Sequence, residues 1–163
     1  MRTLYKAHSR TVYAFVLSRL RDPSRAEEIL VDTMHEVWKH PDRFRGDSKF
    51  STWLIGIARH KMLDALRAKG PEYEELDEEL PEEDGESGFD RVAEQQQREG
   101  VRKCMDKLSD EHRECLHLAF YQDMSIAEVA AVQKIPENTV KTRLFHARQK
   151  IKNCLRLLLE GMA

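Results

Sequence analysis

SIAEVAAVQKIPENTVKTRLFHARQKI, residues 125–151, decides how this chain reads. Ser125 with Glu128 three positions on has the form of a capping box, in which side chains satisfy the free N–H groups of a new helix. SIAEVAAV is then a short helix, QKIP a tight turn, and a second helix opens near Glu137. On a step of about 100° per residue, Val140, Leu144, Ala147, Ile151 and Leu155 form one apolar stripe that can pack on a core. Phe145 lies off that stripe, on the strip of Lys141, Arg148 and Lys152. It admits two readings. One is a peripheral aromatic that covers the edge of the stripe; the other is a ring offered to a base edge while cations hold phosphates. From residue 134 to 156 there are seven Lys or Arg and one Glu. A bracing helix, a turn and a basic helix predict a helix-turn-helix over about 125–148, with the second helix in the major groove.

Charge is distributed unevenly along the rest of the chain. The net formal charge of −2 over 163 residues combines +6 in residues 1–69, −11 in 70–90 and +3 in 91–163. Two basic blocks around an acidic segment point to a polyanionic partner. The acidic segment, PEYEELDEELPEEDGESGFD, repels itself and offers little to bury, so it reads as a flexible linker, with a charged solvated helix as the other reading of its first half. No apolar run reaches the length of a membrane span and no signal peptide opens the chain, so a cytoplasmic protein without membrane insertion is expected. Three widely spaced cysteines, Cys104, Cys115 and Cys154, suggest reduced thiols.

The pass along the chain finds helical patterns and no convincing strand. A helix is expected over 3–21, broken by Asp22-Pro23. Ser24 with Glu27 reads as a capping box for a second helix from Arg25 to Lys39, which His40-Pro41 stops. After the loop FRGDSKF, Ser51 can cap a third helix reaching Ala68, with Trp53, Leu54, Ile57, Ala58, Met62 and Leu66 toward the core. Helices resume near Arg91, and Ser109 can cap another over 110–122. The fold class expected is all-α: two small helical domains, 1–69 and 91–163, joined by a flexible acidic linker, 70–90.

RFRGDSKFSTWLIGIARHKMLDALR, residues 43–67, interleaves rings and cations: Arg43, Phe44, Arg45, Lys49, Phe50, Trp53, Arg59, His60 and Lys61. Unpaired bases stack on rings while basic residues track the backbone, and a loop here could hold a flipped base. Trp53, lying on the apolar stripe, reads first as a core anchor. HRECLH (His112, Cys115, His117) contains metal-ligand types, but helical steps spread them around the axis, and Cys115 and Leu116 read as core residues. Neither CxxC nor HExxH occurs, nor a nucleophile–base constellation, nor a glycine-rich phosphate loop. No metal, cofactor or enzymatic activity is expected.

Two segments carry a resemblance. AEEILVDTMHEVWKHPDRFRGDSKFSTWLIGIARHKMLDALR resembles region 2, and LSDEHRECLHLAFYQDMSIAEVAAVQKIPENTVKTRLFHARQKI resembles region 4, of RNA polymerase sigma factors of the two-domain extracytoplasmic-function group. The resemblance implies promoter-specific transcription initiation, with core RNA polymerase (β′ clamp helices and β flap) and promoter DNA as partners and an anti-sigma factor as antagonist. It places Glu28, Asp32 and Trp38 on the surface that docks to the β′ clamp, with Val31 where the family commonly has Gln. It assigns Arg45, Gly46, Asp47, Ser48, Lys49 and Phe50 to the pocket for a flipped base of the −10 element, together with Arg59, His60 and Lys61. His60 stands where many members have Asn. It assigns Asn138, Thr139, Lys141, Thr142, Phe145, His146 and Arg148 to the −35 element. Members often have Arg where Lys141 and His146 stand, and Lys lacks the planar fork that Arg presents to guanine. Lys134 replaces a common turn Gly. A stand-alone DNA-binding regulator would share the helix-turn-helix but has no use for FRGDSKFSTWL or the acidic segment. A helical interaction module without DNA would share the fold class alone.

Overall fold

The computed structural model describes residues 2–69 and 88–161. Regular structure in them is helical: α1 Arg2–Leu20, α2 Pro23–Lys39, a 3-10 turn Pro41–Arg43, α3 Phe50–Lys69, α4 Gly88–Asp106, α5 Asp110–Leu116, a π-helical turn His117–Tyr121, α6 Ile126–Gln133 and α7 Glu137–Gly161. Residues 70–87 of the predicted linker lie outside the described residues. Residues 88–90, expected in that linker, form the first turn of α4. The described residues group into two compact units, one of α1–α3 with residues 127–135, the other of α4, α5, the π turn, residues to 126, and α7.

In the first unit α1, α2 and α3 each pack on the other two. Their core is Val12, Phe15 and Val16 of α1, Ala26, Ile29, Leu30, Met34 and Val37 of α2, and Leu54, Ile55, Ala58 and Met62 of α3. These recur every three or four positions, the spacing of one helix face. Buried Thr33 donates its hydroxyl to the Ile29 carbonyl at 2.6 Å, which lets a polar side chain sit in the core. The predicted stripe of α3 is rotated: Thr52 and Ile55 are buried, whereas Trp53, Ile57 and Leu66 keep part of their surface in solvent. Trp53 is therefore no core anchor. It joins a ring cluster at the start of α3, where Phe44, Phe50 and Trp53 lie 5.2–5.6 Å apart between centroids.

The start of α2 also differs from the expected capping box. Asp22 is the N-cap, accepting the Arg25 N–H at 3.1 Å, and Pro23 follows in the first turn. Asp caps as well as Ser, and the fixed φ of proline suits the first helical position, so the cap moves two residues upstream. Arg21, with φ +52°, ends α1 in the left-handed region. Lys134 does the same for α6 at φ +54°, and the Ile135 N–H reaches the Ala130 carbonyl at 3.1 Å. That pattern is the Schellman closure, in which glycine is usual because it lacks a Cβ.

In the second unit the core is Cys104, Leu108, Cys115, Leu116, Leu118, Val140, Leu144 and Ala147. Burial pushes the Cys115 thiol up to about 11. Arg113 donates to the carbonyls of Met105, Asp106 and Leu108 at 3.0–3.1 Å and so holds the C-terminal end of α4. The helix expected over 110–122 widens at His117, where the Gln122 N–H bonds to the carbonyl five residues back at 3.2 Å.

The expectation of three reduced thiols is corrected here. Cys104 of α4 and Cys154 of α7 form a disulfide, with Cα atoms 5.7 Å apart, and Cys115 remains free and buried. Fifty residues separate the pair in sequence. Only the packing of α4 along α7 brings them within bridging range.

Candidate functional site

Three surfaces gather the residues singled out from the sequence. On α2, the buried Ile29, Leu30, Thr33, Met34 and Val37 occupy one face and leave Glu28, Val31, Asp32, His35 and Trp38 on the opposite one. These five are exposed, Trp38 at 63 %. The rings of His35 and Trp38 lie 6.1 Å apart. An exposed Trp and Val flanked by carboxylates is what a helix presents to a protein partner rather than to its own core. Val31 shares this face with Glu28, Asp32 and Trp38, and His35, one helical turn from Asp32 and Val31, belongs to it as well.

The second surface is the loop from Phe44 to Lys49 and the first turns of α3. Arg43 pairs with Glu36, anchoring the 3-10 turn to α2. Arg45, Gly46, Asp47 and Lys49 are exposed, and Ser48 donates to the Lys49 carbonyl at 3.2 Å. Gly46 sits at φ +79° with nothing within 4 Å of where a Cβ would lie. The backbone geometry, not space, selects glycine there. Lys49 faces the Glu128 carboxylate at 3.7 Å within this unit, and the same carboxylate accepts from Thr52 at 3.1 Å. Phe50 is half-buried against Phe44, Trp53 and His8. The exposed loop thus rests on a packed floor of rings. Farther along α3, His60 pairs with Asp64 at 3.1 Å, and Arg59 and Lys61 are partly exposed on either side of it.

The third surface is the outer strip of α7. Its inner face buries Val140, Leu144 and Ala147. Asn138, Lys141, Thr142, Phe145, His146 and Arg148 are exposed and Thr139 is half-buried. Phe145 is 59 % exposed. The premise that its ring stands off the core therefore holds. Its edge meets the His146 ring at 5.6 Å, and His146 in turn faces His112 of α5 at 6.5 Å. The Ser109 hydroxyl contacts His112 Nδ1 at 2.8 Å. Partial burial, then the charges of Lys150, Arg143 and His146, hold the His112 pKa below the usual imidazole range. Thr142 returns its hydroxyl to the Asn138 carbonyl at 2.9 Å. Arg148 lies over the Phe120 ring at 5.1 Å, a cation–π contact that directs it toward α5's extension. His112 beside the strip was not singled out for this role, because its proximity to His146 is a tertiary fact.

His112, Cys115 and His117 diverge. Cys115 points at the Val140 carbonyl at 3.9 Å, and His117 stacks on Tyr121 at 5.1 Å.

Known proteins match these two halves in order. The sigma-70 region 2 family model matches residues 4–72, and the sigma-70 region 4 family model matches residues 98–151. The chain belongs to the sigma-70 family. Relatives run nearly its whole length. It is 26 % identical to the sigma factor SigL of Mycobacterium tuberculosis over 97 % of this chain and 90 % of the relative. It is 28 % identical to SigW of Bacillus subtilis over 89 % and 83 %. Among solved structures, the sigma factor RpoE from Bartonella quintana, in complex with the anti-sigma factor NepR, aligns with a TM-score of 0.78 at 22 % identity, covering 95 % of this chain and 96 % of that one. CnrH, in complex with the cytosolic domain of CnrY, aligns with a TM-score of 0.65 at 25 % identity over 99 % and 88 %. As a sigma factor the chain is a transcription regulator that directs polymerase to promoters. No described helix is long and apolar enough to cross a membrane.

Proposed function

We propose that residues 1–69 dock on core RNA polymerase and open the −10 element, that 91–163 read the −35 element, and that the acidic segment 70–90 links them. In this reading Glu28, Asp32 and Trp38 meet the β′ clamp helices. Asp32 and Glu28 supply charge at the rim, and Trp38 supplies the apolar anchor that concentrates binding energy in such interfaces. Arg45, Gly46, Asp47, Ser48, Lys49 and Phe50 receive a flipped base. The exposed loop polar groups meet its edge, the ring floor supports the loop, and Arg59, His60 and Lys61 follow the strand backbone.

Asn138, Thr139, Lys141, Thr142, Phe145, His146 and Arg148 lie against the −35 major groove. Lys141 serves a phosphate or a base acceptor, and Phe145 contacts a thymine methyl or base edge. The observation that carries the reading is the exposed Phe145 ring flanked by Lys141 and His146 on a helix whose opposite face is buried. The second unit also engages the polymerase β flap. The chain works in the cytoplasm, has no enzymatic activity, cofactor or metal of its own, and is held inactive by an anti-sigma factor. Solved relatives bound to NepR and to the cytosolic domain of CnrY support that last assignment. The test is run-off transcription by core polymerase with this protein over a promoter library. Transcripts sharing paired −35 and −10 sequences are expected; DNA binding without any stimulation of core polymerase would favour a stand-alone regulator instead.

A further inference from the structure

In the second unit α4 packs along α7. Gly100 faces Leu155 and Leu158 of α7, and a Cβ on it would lie 3.8–3.9 Å from them, ordinary contact distance. One turn on, Cys104 is 1 % exposed. Val101 of α4 and Leu157 and Leu159 of α7 stay exposed. The Cys104–Cys154 bond is the covalent part of this seam. The C-terminal end of α4 is held separately by Arg113 at the Met105 and Asp106 carbonyls. That end can act as a hinge, with the cross-link just upstream of it.

A groove is lined by the residues that follow the two cysteines. It has a volume of about 460 Å³; its apolar and aromatic lining, Met105, Leu116, Phe120, Tyr121, Ile151 and Leu155, is joined by the cations Arg148 and Lys152. Met105 follows Cys104 and Leu155 follows Cys154, so the bond fixes two of its walls.

We propose that Cys104 and Cys154 form a reversible thiol–disulfide site: oxidation latches α4 to the C-terminal half of α7, and reduction by a cellular dithiol lets α4 swing away and the groove lose its shape. In a cytosolic protein a disulfide is most often transient and redox-sensing rather than a permanent staple. The chemistry follows from exposure. Cys104 is sealed, whereas Cys154 is half-buried, so an incoming thiolate attacks the Cys154 sulfur. The S–S bond breaks, Cys104 leaves as a thiolate and takes a proton, and a mixed disulfide joins Cys154 to the reductant. The reductant's second thiol then displaces Cys154, which is also protonated. Two electrons and two protons pass to the protein, and the dithiol becomes a disulfide. Oxidation by a disulfide such as oxidised glutathione runs the exchange in reverse. Cys115 stays outside this exchange, because it is buried and its thiolate is disfavoured.

The functional consequence rests on the promoter reading above. A loosened groove and α4 weaken the second unit's hold on its partners, so the oxidised form is the more active one. The test uses the full chain, oxidised with glutathione disulfide or reduced with dithiothreitol. Alkylation read by mass, amide exchange, and run-off transcription with core polymerase at one fixed promoter are compared. In the oxidised form Cys104 and Cys154 should resist alkylation. Reduction should speed exchange severalfold in residues 98–106 and 152–158 and leave 137–147 unchanged. Transcription should fall severalfold on reduction, and Cys104→Ser/Cys154→Ser should behave as the reduced protein and ignore dithiothreitol. Should that variant fail to fold, the wild-type pair of redox states makes the same comparison. Full alkylation of both cysteines after glutathione disulfide treatment, or identical exchange in α4 in both states, would overturn the latch. Equal transcription in both states would overturn its control of activity. Altered exchange with no transcript from either form would leave the latch supported and sink the promoter reading.

Discussion

Phe145→Ala separates packing from recognition, and Phe15→Ala provides the scale. Phe15 is 1 % exposed in the first unit's core. Truncating such a ring costs about 3–5 kcal/mol, part of it for the cavity left behind. Phe145 is 59 % exposed, so about two fifths of its surface is covered, and solvent fills the space it leaves. Scaling by covered surface and dropping the cavity contribution gives at most about 1.5 kcal/mol for Phe145→Ala. A domain of this size shifts by roughly 4–8 °C per kcal/mol, so Phe145→Ala should lower the melting temperature by no more than about 12 °C. Phe15→Ala should lower it by more than that or unfold the unit. Recognition should show the opposite order. Losing a base-edge contact at one or two −35 positions costs on the order of 1 kcal/mol of discrimination, about fivefold. The assay is promoter binding by holoenzyme across a set of −35 variants, with thermal melts of each protein. If Phe145→Ala strongly lowers the melting temperature and leaves base preference intact, the ring is edge packing and the recognition argument is wrong.

Lys141→Ala should weaken promoter binding at every sequence and flatten the salt dependence by about one counterion, measured as log affinity against log salt, whereas Phe145→Ala should leave that slope alone. Asp32→Arg reverses an exposed charge on α2 without touching Ile29, Leu30 or Val37, so it should weaken core polymerase capture severalfold with an unchanged melt; unaltered capture would remove α2 from the docking surface. Burial lowers the His117 pKa from 6.5 to about 4, so the neutral form is favoured in the fold; its contribution is complete above pH 6.5 and is lost as pH falls, about 3 kcal/mol by pH 4. Denaturant melts over that range should show this loss, and His117→Gln should flatten it. Lys134→Gly relieves a left-handed residue at the end of α6 and should stabilise by roughly 0.5–1 kcal/mol, less what the freer unfolded chain takes back; a lower melting temperature would mean that the Lys side chain contributes elsewhere.

Much of the architecture follows from local chemistry. Apolar residues every three or four positions and Pro23 and Pro41 at helix boundaries define α1–α3 and α5–α7 within a few residues, because helical hydrogen bonds are satisfied within one segment; Ser109 precedes α5 as expected, but its hydroxyl contacts His112 instead of capping the helix. Phe145 off its stripe is likewise a matter of angle along one helix. Properties that depend on a second element were decided by packing. Which side of α3 is buried turned on how α1 and α2 pack against it, so Ile55 replaced Trp53 in the core. The cap of α2 moved to Asp22 because two good capping residues lie two positions apart and only the path of the chain out of α1 selects between them. His112 reaches His146, and Cys104 meets Cys154 across fifty residues, because α5 and α4 pack along α7. Periodicity reports the face a side chain occupies on its own helix; which partner stands opposite is set by burial and close packing among helices, and no single segment carries that information.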